Sequence, residues 1–267
     1  MTFAEKLHSL VSSRGPGLCV GLDPDPVRMP ADFNRDLPGI AAFLQKVILV
    51  TAPFAAAYKV NTAFFEALGS PGWRLLEEIS FHLPEDCLRI ADAKRGDIGN
   101  TAQKYAEAFF KQMPFDALTV NPYLGGDSLQ PFLNDPTKGA YVLALTTNPG
   151  SKDLQYFGDD TNKLFFHVLS QIPHWAPSGN LGAVVGATHP EELLAIRRQF
   201  PSIPLLLPGV GAQGGDTETI RAMPYGAHHA PVLVNISRGI LYPQGGANFP
   251  DNIVQACHSY QHELGII

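Results

Sequence analysis

The stretch Arg89-Ile90-Ala91-Asp92-Ala93-Lys94-Arg95-Gly96-Asp97-Ile98-Gly99-Asn100-Thr101-Ala102 decides how the rest of the chain is read. It opens as an apolar run, closes on helical spacing, and carries Asp92, Lys94 and Asp97 around the turn between the two. On a strand, positions two apart point the same way, so Asp92 and Lys94 are expected to share one face. Burying an unpaired charge is costly, so that face belongs at a polar mouth and not beneath a layer of helices. Asp97 follows just past the strand. An Asp-Lys-Asp cluster holds an ammonium in its charged form, which makes Lys94 a proton donor and a poor nucleophile. The structural alternative is a plain salt bridge between Asp92 and Lys94, with Asp97 as a helix cap.

Outward from this unit the same alternation repeats. Short apolar, β-branched-rich runs occur at 18–23, 56–62, 88–94, 117–123, 140–147, 181–187, 204–210 and 232–238, eight in all. Between them lie helical patterns such as 41–50, 73–81, 101–112, 163–171, 191–199 and 217–223. Thr188, Pro190 and Glu191 together predict a capping box at the start of one of these helices. Strands that are apolar throughout suit a parallel sheet covered on both faces. Eight strand-helix repeats in 267 residues predict an α/β fold, a single (β/α)8 TIM barrel spanning 1–267 as one catalytic domain. A doubly wound sheet is the competing geometry. In a barrel the polar residues at strand ends, Asp23, Lys59, Asn61, Asp92, Lys94, Asn121, Thr146, Thr147 and Arg238, converge on one mouth.

Composition narrows the class. With 19 Lys+Arg against 25 Asp+Glu the chain carries a net charge of −6, so it offers no basic field for nucleic acid, and any anion site must be local. At 45% hydrophobic and 16% charged residues it is not a disordered chain. No apolar run is long enough for a membrane span, and residues 1–17 read as a short amphipathic helix instead of a signal peptide. A cytoplasmic location is expected. Cys19, Cys87 and Cys257 are too sparse for a disulfide framework or a zinc site and read as core.

The segment Gly209-Val210-Gly211-Ala212-Gln213-Gly214 matches a dinucleotide fingerprint by letter. That fingerprint needs an acid about 20 residues on, yet no Asp or Glu occurs between Thr219 and Pro250. Gly-rich backbone after the seventh run and Arg238-Gly239 after the eighth fit the phosphate site that barrels build from those loops. Backbone N–H groups and the Arg238 fork would grip the oxygens there. The stretch from Thr147 to Asp160 is long and Gly/Asp-rich, as a lid would be.

Asp92-x-Lys94-x-x-Asp97-Ile98-x-x-Thr101 resembles the signature of the orotidine 5'-phosphate decarboxylase family, with every fixed position filled. The resemblance extends over Gly21-Leu22-Asp23-Pro24, Tyr58-Lys59-Val60-Asn61, Thr119-Val120-Asn121-Pro122-Tyr123, Thr146-Thr147-Asn148-Pro149-Gly150-Ser151, Pro208 to Gly215 and Ser237-Arg238-Gly239, in the pattern of its longer bacterial subgroup. It implies a homodimeric barrel with shared active sites, which converts orotidine 5'-monophosphate to uridine 5'-monophosphate and CO₂ without metal or cofactor. The nucleotide is then the only small-molecule partner, with neither nucleic acid nor membrane involved. Lys94 is implied as proton donor to pyrimidine C6, with Asp92 beside the substrate carboxylate, Lys59 completing the charged array and Asp23 on the ribose. Asp97, Ile98 and Thr101 are implied to reach the neighbouring subunit's site. Gly211, Gln213 and Arg238 would hold the phosphate, and Thr147 the pyrimidine imide, with Thr146 and Ser151 as close alternatives.

Related barrels carry the same Asp-x-Lys-x-x-Asp run but use Mg²⁺ on a sugar phosphate, as decarboxylase or aldolase. Those relatives have an acid at the position of Lys59, where an ammonium would oppose a divalent cation. A non-catalytic phosphate sensor is the other alternative, and it would gain nothing from setting Asp92 and Asp97 around an anionic ligand. His258 and His262, four apart on a helical stretch, lack a third ligand and read as a surface pair.

Overall fold

Residues 1–11, 15–159, 162–211, 214–244 and 248–266 are described by the structure, a computed structural model. All eight apolar runs form strands: β1 Gly17–Leu22, β2 Ala57–Asn61, β3 Leu88–Arg95, β4 Ala117–Val120, β5 Gly139–Leu145, β6 Leu181–Val185, β7 Leu205–Leu207 and β8 Val232–Ile236. They pair in sequence order, every ladder parallel, and β8 returns to β1 to close the barrel. The doubly wound alternative is thereby excluded. Most strands stop one to three residues before the apolar run does, because the chain leaves the ladder to turn over the mouth. Of the residues past those ends, Asp23, Thr146, Thr147, Ser237 and Arg238 line the site.

Helices flank the strands at Leu37–Thr51, Gly69–His82, Gly99–Glu107, Leu164–Trp175, Pro190–Gln199 and Thr217–Ala222. The pattern at 101–112 divides into an α-helix and a π-helical turn, Ala108–Gln112. The capping box expected at Thr188 does not form. His189 is the N-cap of Pro190–Gln199 without a side-chain cap bond, and the Thr188 hydroxyl is buried with no partner among the described residues. The imidazole of His189 lies instead 3.1 Å from the carbonyl of Thr146, a tertiary contact in place of a local one.

Two apolar layers hold the barrel. The larger lies between strands and helices; the smaller fills the interior with Cys19, Ala57, Leu88, Ile90, Ala117, Tyr141, Val184, Leu206 and Leu233. The N-terminal helix Phe3–Leu10, amphipathic as expected, closes the end opposite the mouth with Phe3 and Leu7. Phe3 meets Tyr141 edge-on at 6.2 Å and occupies the space a side chain at Gly139 would need, since a Cβ there would lie 2.6 Å from the ring. Beneath this plug Asp116 accepts from Lys6 Nζ at 2.9 Å and from the Arg89 backbone N–H at 2.8 Å. All three cysteines are buried and free. Among the described residues, no helix is long and apolar enough to cross a membrane.

Candidate active site

The mouth of the barrel encloses a cavity of about 480 Å³. Strand ends supply its floor: Lys59 and Asn61 from β2, Asp92 and Lys94 from β3, Thr119 from β4 and Asn235 from β8. Three cations, Lys59, Lys94 and Arg238, face two carboxylates, Asp23 and Asp92. In a chain of net charge −6 this is the local positive excess an anion requires.

Asp92 is the centre of the array. Its Oδ2 accepts from Lys59 Nζ at 2.7 Å, while Oδ1 accepts from Lys94 Nζ at 2.6 Å and from Thr119 Oγ1 at 2.9 Å. Thr119 Oγ1 accepts in turn from the Lys94 backbone N–H at 2.9 Å, so one threonine fixes both partners. Burial alone would push the Asp92 carboxyl up, but the Lys59 and Lys94 ammoniums outweigh it and hold it well below the usual carboxylate range. Burial likewise works against the Lys59 charge, and the Asp92 and Asp23 carboxylates more than offset it, holding this lysine above its ordinary value. Lys59 is 5% exposed and Lys94 is 50% exposed. One cation is therefore locked into the floor, and the other is open to a ligand.

Simple alternation predicts the shared side of Asp92 and Lys94, and the structure reaches it by another route. Lys94 has φ of +49°, the one non-glycine at positive φ among the described residues, and the β3–β4 register shifts between Ala91 and Arg95. This left-handed kink, costing about 1 kcal/mol or more, brings the ammonium back onto Asp92.

Asp97 departs from both expectations drawn from its spacing. Its carboxylate accepts from the Ile98 backbone N–H at 2.8 Å, it does not line the cavity, and so the Asp-Lys-Asp cluster does not form within one chain. Nor does it cap the next helix, Gly99–Glu107, whose N-cap is Ile98 with no side-chain bond. Ile98 is 60% exposed, and Thr101 is exposed beside it.

The remaining predicted residues divide between the two sides of the mouth. Asp23 lines the cavity, and its Oδ1, like Ser237 Oγ, is buried with no partner among the described residues. Atoms of this kind can bond a polar group of a ligand in the cavity. Thr146 and Thr147 both line the cavity, but Thr146 Oγ1 is occupied by Asn148 at 2.6 Å and Gln155 at 2.8 Å. Ser151 is buried away from it. Gly209, Val210 and Arg238 line the far end, and Gly211 follows at φ +80°. Gln213 lies outside the described residues, as does Asp160 at the end of the expected lid; within that segment Ser151–Leu154 is a short helix.

Sequence reasoning missed three contributors. Thr119 is a threonine in a strand, an ordinary occupant, and only its place opposite Asp92 reveals its work. Asn235 sits in an apolar strand, a signal that could have been read; it accepts from Cys19 Sγ at 3.6 Å. Gln155, whose Oε1 accepts from the Thr146 N–H at 2.8 Å, gives no sequence signal.

Comparison with known proteins bears on the same residues. The model of the family described as "Orotidine 5'-phosphate decarboxylase / HUMPS family" matches residues 16–245. An orotidine 5'-phosphate decarboxylase of Herpetosiphon aurantiacus is 43% identical over 251 residues, covering 93% of this chain and 92% of the relative. The structure of Leishmania donovani OMP decarboxylase superposes with a TM-score of 0.83 at 34% identity, covering 99% of this chain and all (100%) of that one. Leishmania donovani UMP synthase superposes equally well, with a TM-score of 0.83 at 35% identity over 98% of this chain, which spans 56% of that longer protein.

Proposed function

Because the chain belongs to the orotidine 5'-phosphate decarboxylase family, it converts orotidine 5'-monophosphate to uridine 5'-monophosphate and CO₂, and we propose that Lys94 supplies the proton that replaces the carboxyl group. The observation that carries this reading is Asp92 held at 2.7 Å by buried Lys59 and at 2.6 Å by half-exposed Lys94. When the C6–carboxyl bond breaks, its electron pair stays in the plane of the ring, where the π system cannot take it up. The barrier must fall through charge placed beforehand, and an ammonium fixed near C6 supplies it. Lys94 Nζ then gives one hydrogen to C6 and regains it from water after product leaves. Asp92, beside the departing carboxylate, adds repulsion that CO₂ loss relieves.

The donor set favours a reaction without metal. Asp92 already spends both oxygens on ammonium groups. The same Lys59–Asp92 pair stands against the Mg²⁺-dependent sugar-phosphate alternative, as do the names of the relatives. Asp23, with its unpaired buried oxygen, suits the ribose hydroxyls, and Thr147, lacking the bonds that occupy Thr146, suits the pyrimidine imide. Gly211, Gln213 and Arg238 are assigned to the phosphate. Its binding energy, gained far from C6, supports closure over the ring.

Asp97, Ile98 and Thr101 are assigned to the site of a second copy. An exposed isoleucine beside a carboxylate and threonine that do not line the mouth cavity of their own chain is what a shared site leaves on each protomer. The chain over 1–267 then acts as one catalytic domain in a homodimer. We place it in the cytoplasm, where a reducing environment leaves buried thiols free.

Loss of orotidine 5'-monophosphate absorbance, followed with and without chelator, tests substrate and metal together: turnover should persist unchanged in chelator. Mixing Lys94→Ala with Asp97→Ala protein should restore part of the activity, since hybrid dimers hold one site with both groups intact. No recovery after confirmed subunit exchange would exclude sharing.

A further inference from the structure

Tyr260, on the C-terminal helix Asp251–Leu264, stands where the loops after β7 and β8 come together. A Cβ added at Gly211 would lie 2.7 Å from Tyr260 Oη; one added at Gly239 would run into the same oxygen, with the ring carbon Cζ at 2.9 Å. Gly211 has a second reason to be glycine in its φ of +80°. Gly239 has none, since its φ is not in the left-handed region, and the phenol alone denies it a side chain. One ring thus touches both loops. Its hydroxyl makes no hydrogen bond among the described residues, so the contact with the glycines is steric. Tyr260 also lines, with Arg28, Gly239 and Glu263, a cleft of about 370 Å³ that meets the mouth cavity at Arg238. Ile253, Cys257 and Leu264 bury the helix against the barrel, so the wedge rests on a rigid support.

We propose that Tyr260 is a positioning residue for the phosphate end of the substrate: its ring sets the spacing between Gly211 and Gly239 and so fixes where Arg238 points. This rests on assigning those two loops to the phosphate. Displacements of about 1 Å in such a site change rates by up to about a hundredfold. The effect should follow the phosphate and leave the pyrimidine end alone, which a purely structural tyrosine would not do.

The experiment compares inhibition by uridine 5'-monophosphate and by uridine, alongside kcat/KM for orotidine 5'-monophosphate. Tyr260→Ala should lower kcat/KM and weaken the nucleotide by about tenfold or more, and leave the nucleoside within about twofold. Tyr260→Phe, which keeps the ring against Gly239 and loses the oxygen nearest both glycines, should recover part of the loss. Gly239→Ala should weaken the nucleotide in the native background and have no further effect on top of Tyr260→Ala, because the clash it creates is gone. The phenylalanine and glycine variants carry the test if Tyr260→Ala does not fold. Equal weakening of nucleotide and nucleoside, or no change in either, would overturn the proposal. Arg238→Ala separates the two levels: if it discriminates nucleotide from nucleoside and the Tyr260 variants do not, only the role of Tyr260 falls. If Arg238→Ala does not discriminate either, the phosphate assignment falls and the role of Tyr260 with it.

Discussion

Two aspartates, one at each end of the barrel, each collect two cationic residues and differ in what they leave open. Asp116, under the N-terminal helix, binds Lys6 Nζ at 2.9 Å and Arg89 Nε at 3.4 Å, and these side chains are all less than a fifth exposed. Lys138 turns away and donates to the Phe115 carbonyl at 2.7 Å beside the Phe110 ring. Every charge there has a partner within the chain, and the helix shields most of the cluster from water. At the mouth Asp92 is equally well bonded, but its neighbours are not: Lys94 stands half in solvent, and Asp23 Oδ1 and Ser237 Oγ are buried without partners. A closed network stabilises; an open one is poised for a ligand that completes it. The same residue types serve as fastener or as tool according to what remains unsatisfied.

Substitutions at the two ends should separate these roles. Lys94→Ala should lower product formation by at least about a thousandfold with an unchanged unfolding midpoint; near-native turnover would erase the distinction. Asp92→Asn should cost about a hundredfold in kcat and also stability, since buried Lys59 loses its counter-charge. That stability gap should depend on pH. The folded-state pKa of Asp92 lies below its unfolded value of about 3.9, so its contribution is fully present above the unfolded value and is lost as pH falls through the folded one. Urea unfolding of both proteins from pH 7 down to 3 should therefore show the gap narrowing; a constant gap would refute the depressed value.

Asp116→Ala should do the reverse, costing about 3 kcal/mol of unfolding free energy while activity per folded molecule stays within about twofold. A large catalytic loss would make the lower cluster part of the tool. The smallest effect expected concerns the three cysteines, Cys19 in the barrel interior and Cys87 and Cys257 in the layer around it. Burial pushes the Cys19 and Cys257 thiols up to about 12 and the Cys87 thiol up to about 11. A thiol reagent at pH 8 should modify none of them in the native protein and all three after denaturation.

The barrel was legible because most strands are buried on both faces and read as runs with no polar alternation to interrupt them, as at Leu181–Val185 and Leu205–Leu207. Strand ends were less so, because Thr146 or Asn121 can belong to a ladder or to the turn after it, and closure of the mouth decides which. The Asp92–Lys94 pair was readable from charges inside an apolar run. The place of Asp97 was not, since spacing fixes distance along a chain and cannot say that the neighbouring carboxylate faces away from its own cavity. Thr188 shows the same limit in a helix start: the letters of a capping box were present, but the segment is packed against the mouth, and His189 took the position.

The left-handed backbone at Lys94 sets folding and chemistry against each other. Glycine would sit at φ +49° without strain, so a library screened for heat resistance with no demand for turnover should drift toward Lys94→Gly. The resulting protein would survive heating better than its parent and be inert. Selection for the reaction is what keeps a side chain at a bend that suits none.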